Sequence, residues 1–139
     1  MAFRFHYICR NIKMKKALLS FLSKLGTPIN NRELSGNEKL IKHLKSYGDP
    51  LIKPRKVDHW IYFSDDDSKK CFIKAIEEDR FIIEDESFDE NLDMPYVLNL
   101  SRIDSVDLEN ADKFTALLKS KAEACGGDYD GWETPIENN

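Results

Sequence analysis

The chain has 139 residues and a mass of 16.2 kDa, the size of one ordinary domain. Hydrophobic residues make up 41% and aromatic residues 11%, enough to bury a core, and 33% charged residues with only six Gly and five Pro exclude a linker or low-complexity segment. No apolar run approaches the roughly 20 residues of a membrane-spanning helix, and three Cys spaced far apart (Cys9, Cys71, Cys125) argue against a disulfide scaffold or zinc module and for a reducing cytosol.

Charge is distributed unevenly. Arg4, Arg10, Lys13, Lys15, Lys16 and Lys24 give the first 25 residues +6 with no acid, which leaves −10 on the rest of a chain whose net charge is −4. An acidic body repels phosphate, so direct nucleic-acid binding is not expected, and it suits a basic partner. The same acidity also serves solubility. In the basic opening, Phe3, Phe5, Tyr7 and Ile8 around Arg4 and His6 read as a short strand or as no regular element. Leu18, Leu22 and Leu25 then recur at helical spacing behind Lys15 and Lys16, an amphipathic helix ended by Gly26-Thr27-Pro28. Neither a signal peptide nor membrane attachment is expected, and Met14 is an alternative start.

Asn31 to Tyr47 reads as a helix with Leu34, Leu40, Ile41 and Leu44 on its apolar side and Gly48-Asp49-Pro50 as its stop. Leu51 to Lys56 is an extended connector between prolines. Val57 to Phe63, rich in β-branched and aromatic residues, is the clearest strand. Ser64-Asp65-Asp66-Asp67 opens a helix whose buried stripe is Cys71, Phe72, Ala75 and Ile76. A second strand starts at Phe81-Ile82-Ile83 and runs towards Phe88. After an acidic turn at 89–93, a third covers Pro95 to Leu100. Ala111, Phe114, Leu118, Ala122 and Cys125 form one continuous helical face, closed by Gly126-Gly127. Tyr129 to Ile136 is the last strand.

Counted from Val57, the order strand, helix, strand, strand, helix, strand predicts a ferredoxin-like α+β sandwich with both helices on one face of an antiparallel sheet. Alternation along the first strand puts Val57, His59, Ile61 and Phe63 towards the helices and Asp58, Trp60 and Tyr62 on the other side. That second face is either a binding platform or a surface covered by residues 31–47.

Catalytic signatures are missing. Gly126-Gly127 lacks the Lys-Ser/Thr of a phosphate loop, and His6, His43 and His59 are scattered. His59 reads as a satisfied, half-buried strand residue, and each Cys as a small apolar residue. Asp65-Asp66-Asp67 and Glu84-Asp85-Glu86 lack the alternation and central Gly of a calcium loop. No metal, cofactor or enzymatic activity is expected. Asp128-Tyr129-Asp130-Gly131-Trp132-Glu133 combines aromatic rings and acids, a composition suited either to an interaction hot spot or to a strand whose Trp caps the core.

Gly48-Asp49-Pro50, the run Pro54-Arg55-Lys56-Val57-Asp58-His59-Trp60-Ile61-Tyr62-Phe63, Arg102-Ile103-Asp104 and the closing Gly126-Gly127-Asp128-Tyr129-Asp130-Gly131-Trp132-Glu133 resemble the RraB family of ribonuclease E inhibitors. The similarity covers roughly residues 31–136, and the basic segment before Gly26 lies outside the pattern. The resemblance implies a ferredoxin-like α+β fold and a cytosolic, non-catalytic protein. It also implies a partner, ribonuclease E or its basic, largely disordered scaffold region. On this view the chain comprises a basic segment (1–26), a helix and connector (27–56) and an RraB-type domain (57–137). Asp65, Asp66, Asp67, Glu84, Asp85 and Glu86 would attract the partner, while Trp60, Tyr62, Tyr129, Asp130 and Trp132 would grip it where exposed. An immunity or antitoxin protein neutralising a toxin nuclease is the alternative. A small-molecule sensor using the open sheet face ranks below both.

Overall fold

A computed structural model describes residues 34–138 of the chain. The strand, helix and linker expected before Asn31 lie outside the described residues. Helix α1 (Gly36–Ser46) is followed by strand β1 (Arg55–Phe63), helix α2 (Asp66–Ala75), a 3₁₀ turn (Glu77–Asp79), β2 (Ile82–Phe88), β3 (Tyr96–Asp104), α3 (Leu108–Ala124) and β4 (Gly127–Glu133). The strands form one antiparallel sheet in the order β2-β3-β1-β4. The expected α+β class and the order strand, helix, strand, strand, helix, strand are both present.

Local chemistry sets the helix ends. Ser35 Oγ accepts from Glu38 N at 3.2 Å while Glu38 Oε2 accepts from Ser35 N at 2.7 Å, so α1 starts at Gly36. Asp65 accepts from Ser68 N at 2.7 Å and Asp107 from Asn110 N at 3.0 Å at the starts of α2 and α3. Gly126 (φ 78°) lets the chain turn out of α3 after its cap residue, Cys125. At Gly127 the constraint is space: a Cβ there would lie 2.4 Å from the buried Phe63 ring.

The core occupies one side of the sheet in two clusters. Ile61, Phe63, Leu98 and Leu100 meet Phe72 and Ile76 of the α2 region and Leu118 and Ala122 of α3. Val57, Trp132 and Val106 meet Ala111 and Phe114 of α3 and Ile41 and Leu44 of α1. Asn37 ties α1 into this layer. Its amide nitrogen donates to Asp112 and Thr115, both at 2.9 Å, and its oxygen accepts from Trp132 Nε1 at 2.8 Å. The α2 stripe is narrower than expected, because Phe72 and Ile76 are buried whereas Cys71 and Ala75 are exposed.

Two further expectations are corrected. β1 begins at Arg55, not Val57, because Arg55 and Lys56 pair with Asp104 and Ile103 of a β3 that runs past Leu100. Cys71 and Cys125, distant in sequence, form a disulfide across the helical layer with Cα atoms 5.8 Å apart. Linear spacing carries no trace of this contact, which arises only when α2 and the end of α3 lie side by side. Closing 54 residues in the unfolded chain is worth about 4 kcal/mol on a chain-entropy basis.

The connector before β1 is held by a buried ion pair. Arg55 Nη2 donates to Asp49 Oδ1 at 3.0 Å and Nη1 to Oδ2, with both residues at most 3% exposed. Asp49 also accepts from Leu51 N at 2.9 Å and Glu137 N at 3.1 Å, and Arg55 donates to the Lys53 and Pro135 carbonyls. Burial pushes the Asp49 carboxyl pKa up, but the hydrogen bonds from Arg55, Leu51 and Glu137 outweigh it and hold the group below its ordinary value. One residue thereby fastens the end of α1, the entry to β1 and the C-terminal tail.

Asp49→Ala leaves the Arg55 guanidinium buried and unpaired, so a loss of about 3–5 kcal/mol is expected in chemical denaturation. Because the folded Asp49 carboxyl titrates below its ordinary value, its contribution is complete above about pH 4 and lost as pH falls below that. Reduction of Cys71–Cys125 should lower the thermal midpoint of the wild type and leave that of a Cys71→Ser, Cys125→Ser variant unchanged, as read by calorimetry with and without dithiothreitol.

Candidate functional site

Along β1, Val57, His59, Ile61 and Phe63 are fully buried beneath the helices. Asp58, Trp60 and Tyr62 alternate with them and project from the other face, partly exposed. Helix α1 packs with α3, Val57 and Trp132 on the helical side. Of the two expectations for the second face, burial beneath the described part of residues 31–47 is therefore not met.

Strand pairing extends this face outward. On β3, Val97, Asn99 and Ser101 stand opposite Tyr62, Trp60 and Asp58. On β2, Asp85 pairs with Asn99 and Ser87 with Val97. On β4, Glu133 pairs with Asp58, Gly131 with Trp60 and Asp128 with Tyr62. Bulges at Glu84 and Asp130 add one acid to each outer strand. Glu84 accepts from Ser101 Oγ at 2.6 Å and pairs with Lys56 at 3.2 Å, and Asp130 Oδ2 lies 3.5 Å from the Tyr62 hydroxyl. The Ser101 hydroxyl and the Lys56 ammonium hold the Glu84 pKa below the ordinary carboxylate range. Six carboxylates (Asp58, Glu84, Asp85, Asp128, Asp130, Glu133) thus surround Trp60 and Tyr62, with Lys56 the single base among these strand positions.

The residues singled out from sequence are only partly assembled here. Trp60, Tyr62, Glu84, Asp85 and Asp130 come together. Glu86 falls on the helical side, where it pairs with Lys69 at 3.2 Å, because the bulge places it opposite Leu98. Asp65 caps α2, Asp66 pairs with Lys69 and Lys70, and Asp67 lies in the same turn, away from the open face. Tyr129 points to the helical side, its hydroxyl 2.9 Å from His59 Nδ1. Trp132 is 3% exposed and packs edge-on to Phe114 at 5.2 Å, so of its two readings the core residue is the one observed. Asp58, Asp128 and Glu133, which share this face, were not singled out from sequence. Asp58 shares the phase of Trp60, whereas the Asp130 bulge breaks the alternation that would have exposed the other two.

His59 is fully buried rather than half-buried. It lies edge-on to Phe81 and Phe114, and its Nε2 has no hydrogen-bond partner among the described residues. Burial, reinforced by the Arg102 guanidinium, lowers its pKa to about 3. Burial and the Arg102 charge both oppose protonation, so this imidazole is a neutral core ring. In the unfolded chain it takes up a proton near pH 6.5. Stability is therefore complete above that pH and declines at up to about 1.4 kcal/mol per pH unit as pH falls towards 3. In urea titrations at pH 7 and pH 5, a variant combining His59→Phe with Tyr129→Phe should lose less stability on acidification than the wild type.

A family model described as regulator of ribonuclease activity B, RraB, matches residues 35–134. Among curated proteins, none matches the chain. The matched region spans every helix and strand from α1 to β4 and covers more than half of the sequence. The chain belongs to the RraB family, a family of regulators of ribonuclease activity.

Proposed function

We propose that this protein is a non-catalytic regulator that binds ribonuclease E through that enzyme's basic scaffold region and so restrains RNA cleavage in the cytoplasm. The observation that carries this reading is the open face of the sheet, where six carboxylates ring two partly exposed aromatic side chains. Such a face attracts Arg-rich chain by charge, while Trp60 and Tyr62 offer flat surfaces on which guanidinium groups stack. A disordered partner suits a shallow sheet surface, since it can order along the sheet as it binds. The buried, neutral His59 supports a role without proton chemistry. In a reducing cytoplasm Cys71 and Cys125 would be thiols. The two helices would then be held by the packing of Phe72, Ile76, Leu118 and Ala122.

Affinity for the isolated scaffold segment, measured by calorimetry, should fall at least about tenfold between about 50 and about 300 mM salt. Trp60→Ala should weaken binding by a similar factor and relieve inhibition of cleavage, while circular dichroism and the thermal midpoint stay close to wild type. Binding that ignores both salt and Trp60, or cleavage that continues unchanged at saturation, would contradict the proposal.

A further inference from the structure

Among the described residues, β2 is an outer strand with one neighbour, β3. All seven of its residues are exposed, and none belongs to either core cluster. Ile82 is 62% and Phe88 60% exposed, unusual for large apolar side chains in a strand. Between them Glu84 and Asp85 project to the open face and Glu86 to the helical side. An outer strand with apolar ends and an acidic middle combines a backbone template with a charge preference.

From this arrangement we infer that the outer edge of β2 receives an extended, Lys/Arg-rich strand of the partner, added to the sheet beside β2. The inference rests on the proposed basic partner and specifies how that partner is held. Backbone N–H and C=O groups would form the ladder. Glu84 and Asp85 would meet basic side chains on the open face and Glu86 on the helical face, while Ile82 and Phe88 would cover apolar residues at the two ends. Charge selects this occupant over a second copy of the chain. Antiparallel pairing of two β2 strands about Asp85 sets Asp85 against Asp85 and Glu84 against Glu86, and like charges directly opposite are destabilising. Strand addition also joins the incoming chain to the acidic face around Trp60, so one segment can engage both.

The full-length protein can be titrated with a short peptide of alternating Arg and Val, with amide hydrogen exchange then resolved residue by residue. The expected result is new protection confined to alternate amides of β2. The same peptide N-methylated on alternate residues keeps its charge but cannot complete the ladder, and should bind at least about tenfold more weakly. Asp85→Lys, which breaks none of the ion pairs that hold the sheet, should weaken binding of the unmethylated peptide. Equal binding of both peptides, with protection over β1 and β3 instead, would overturn strand addition while leaving the basic-partner reading intact. Loss of peptide binding together with failure to bind the ribonuclease scaffold would overturn both. Concentration-dependent protection of β2 without peptide, with a dimer in sedimentation, would overturn the inference in favour of a second copy.

Discussion

The organising constraint in this molecule is one-sided cover of a central strand. β1 is paired on both edges, and four of its side chains are sealed under helices at 0% exposure. Because strand side chains alternate, sealing one set directs Asp58, Trp60 and Tyr62 to the other face. A one-residue slip of β1 would bury an acid and an indole and expose Ile61 and Phe63, so the register fixes which residues form each face. The helical layer therefore determines the open face without touching it.

The same logic divides the family's sequence signature between the core and the second face of the sheet. Asp49 and Arg55 form a buried ion pair, Gly127 leaves room for Phe63, and Tyr129 bonds to His59. Trp132 reaches Asn37, and Arg102 pairs with Asp104 at 2.7 Å while stacking over Phe81. Much of the motif that marks the chain as RraB thus holds the fold in place. Trp60 and Tyr62, inside the same motif, belong to the surface, as do the acids Asp128 and Asp130.

Legibility in the sequence tracked the range of the interactions involved. Alternation within β1 and the apolar face of α3 are local patterns, and both gave the right side of each residue. The helix start at Asp65 is written in one or two residues. Bulges are different. Glu84 and Asp130 each shift the phase of an outer strand, and a regular period of two then misplaces the neighbouring residues. This is why Glu86 and Tyr129 read as surface anchors from sequence yet sit on the helical side. The Cys71–Cys125 bridge and the Asp49–Glu137 contact join distant segments and leave no local mark.

Trp60 is partly exposed on the open face, where the proposed binding depends on it, while Trp132 is locked in the core. Acrylamide quenching of fluorescence tests it directly in two single-indole variants, Trp132→Phe reporting on Trp60 and Trp60→Phe reporting on Trp132. Free in solution, Trp60 should be readily quenched and Trp132 protected, and saturation with the ribonuclease scaffold segment should shield Trp60 while leaving Trp132 as it was. A Trp60 that is protected in the free protein, or equally quenchable before and after the partner binds, would contradict the account.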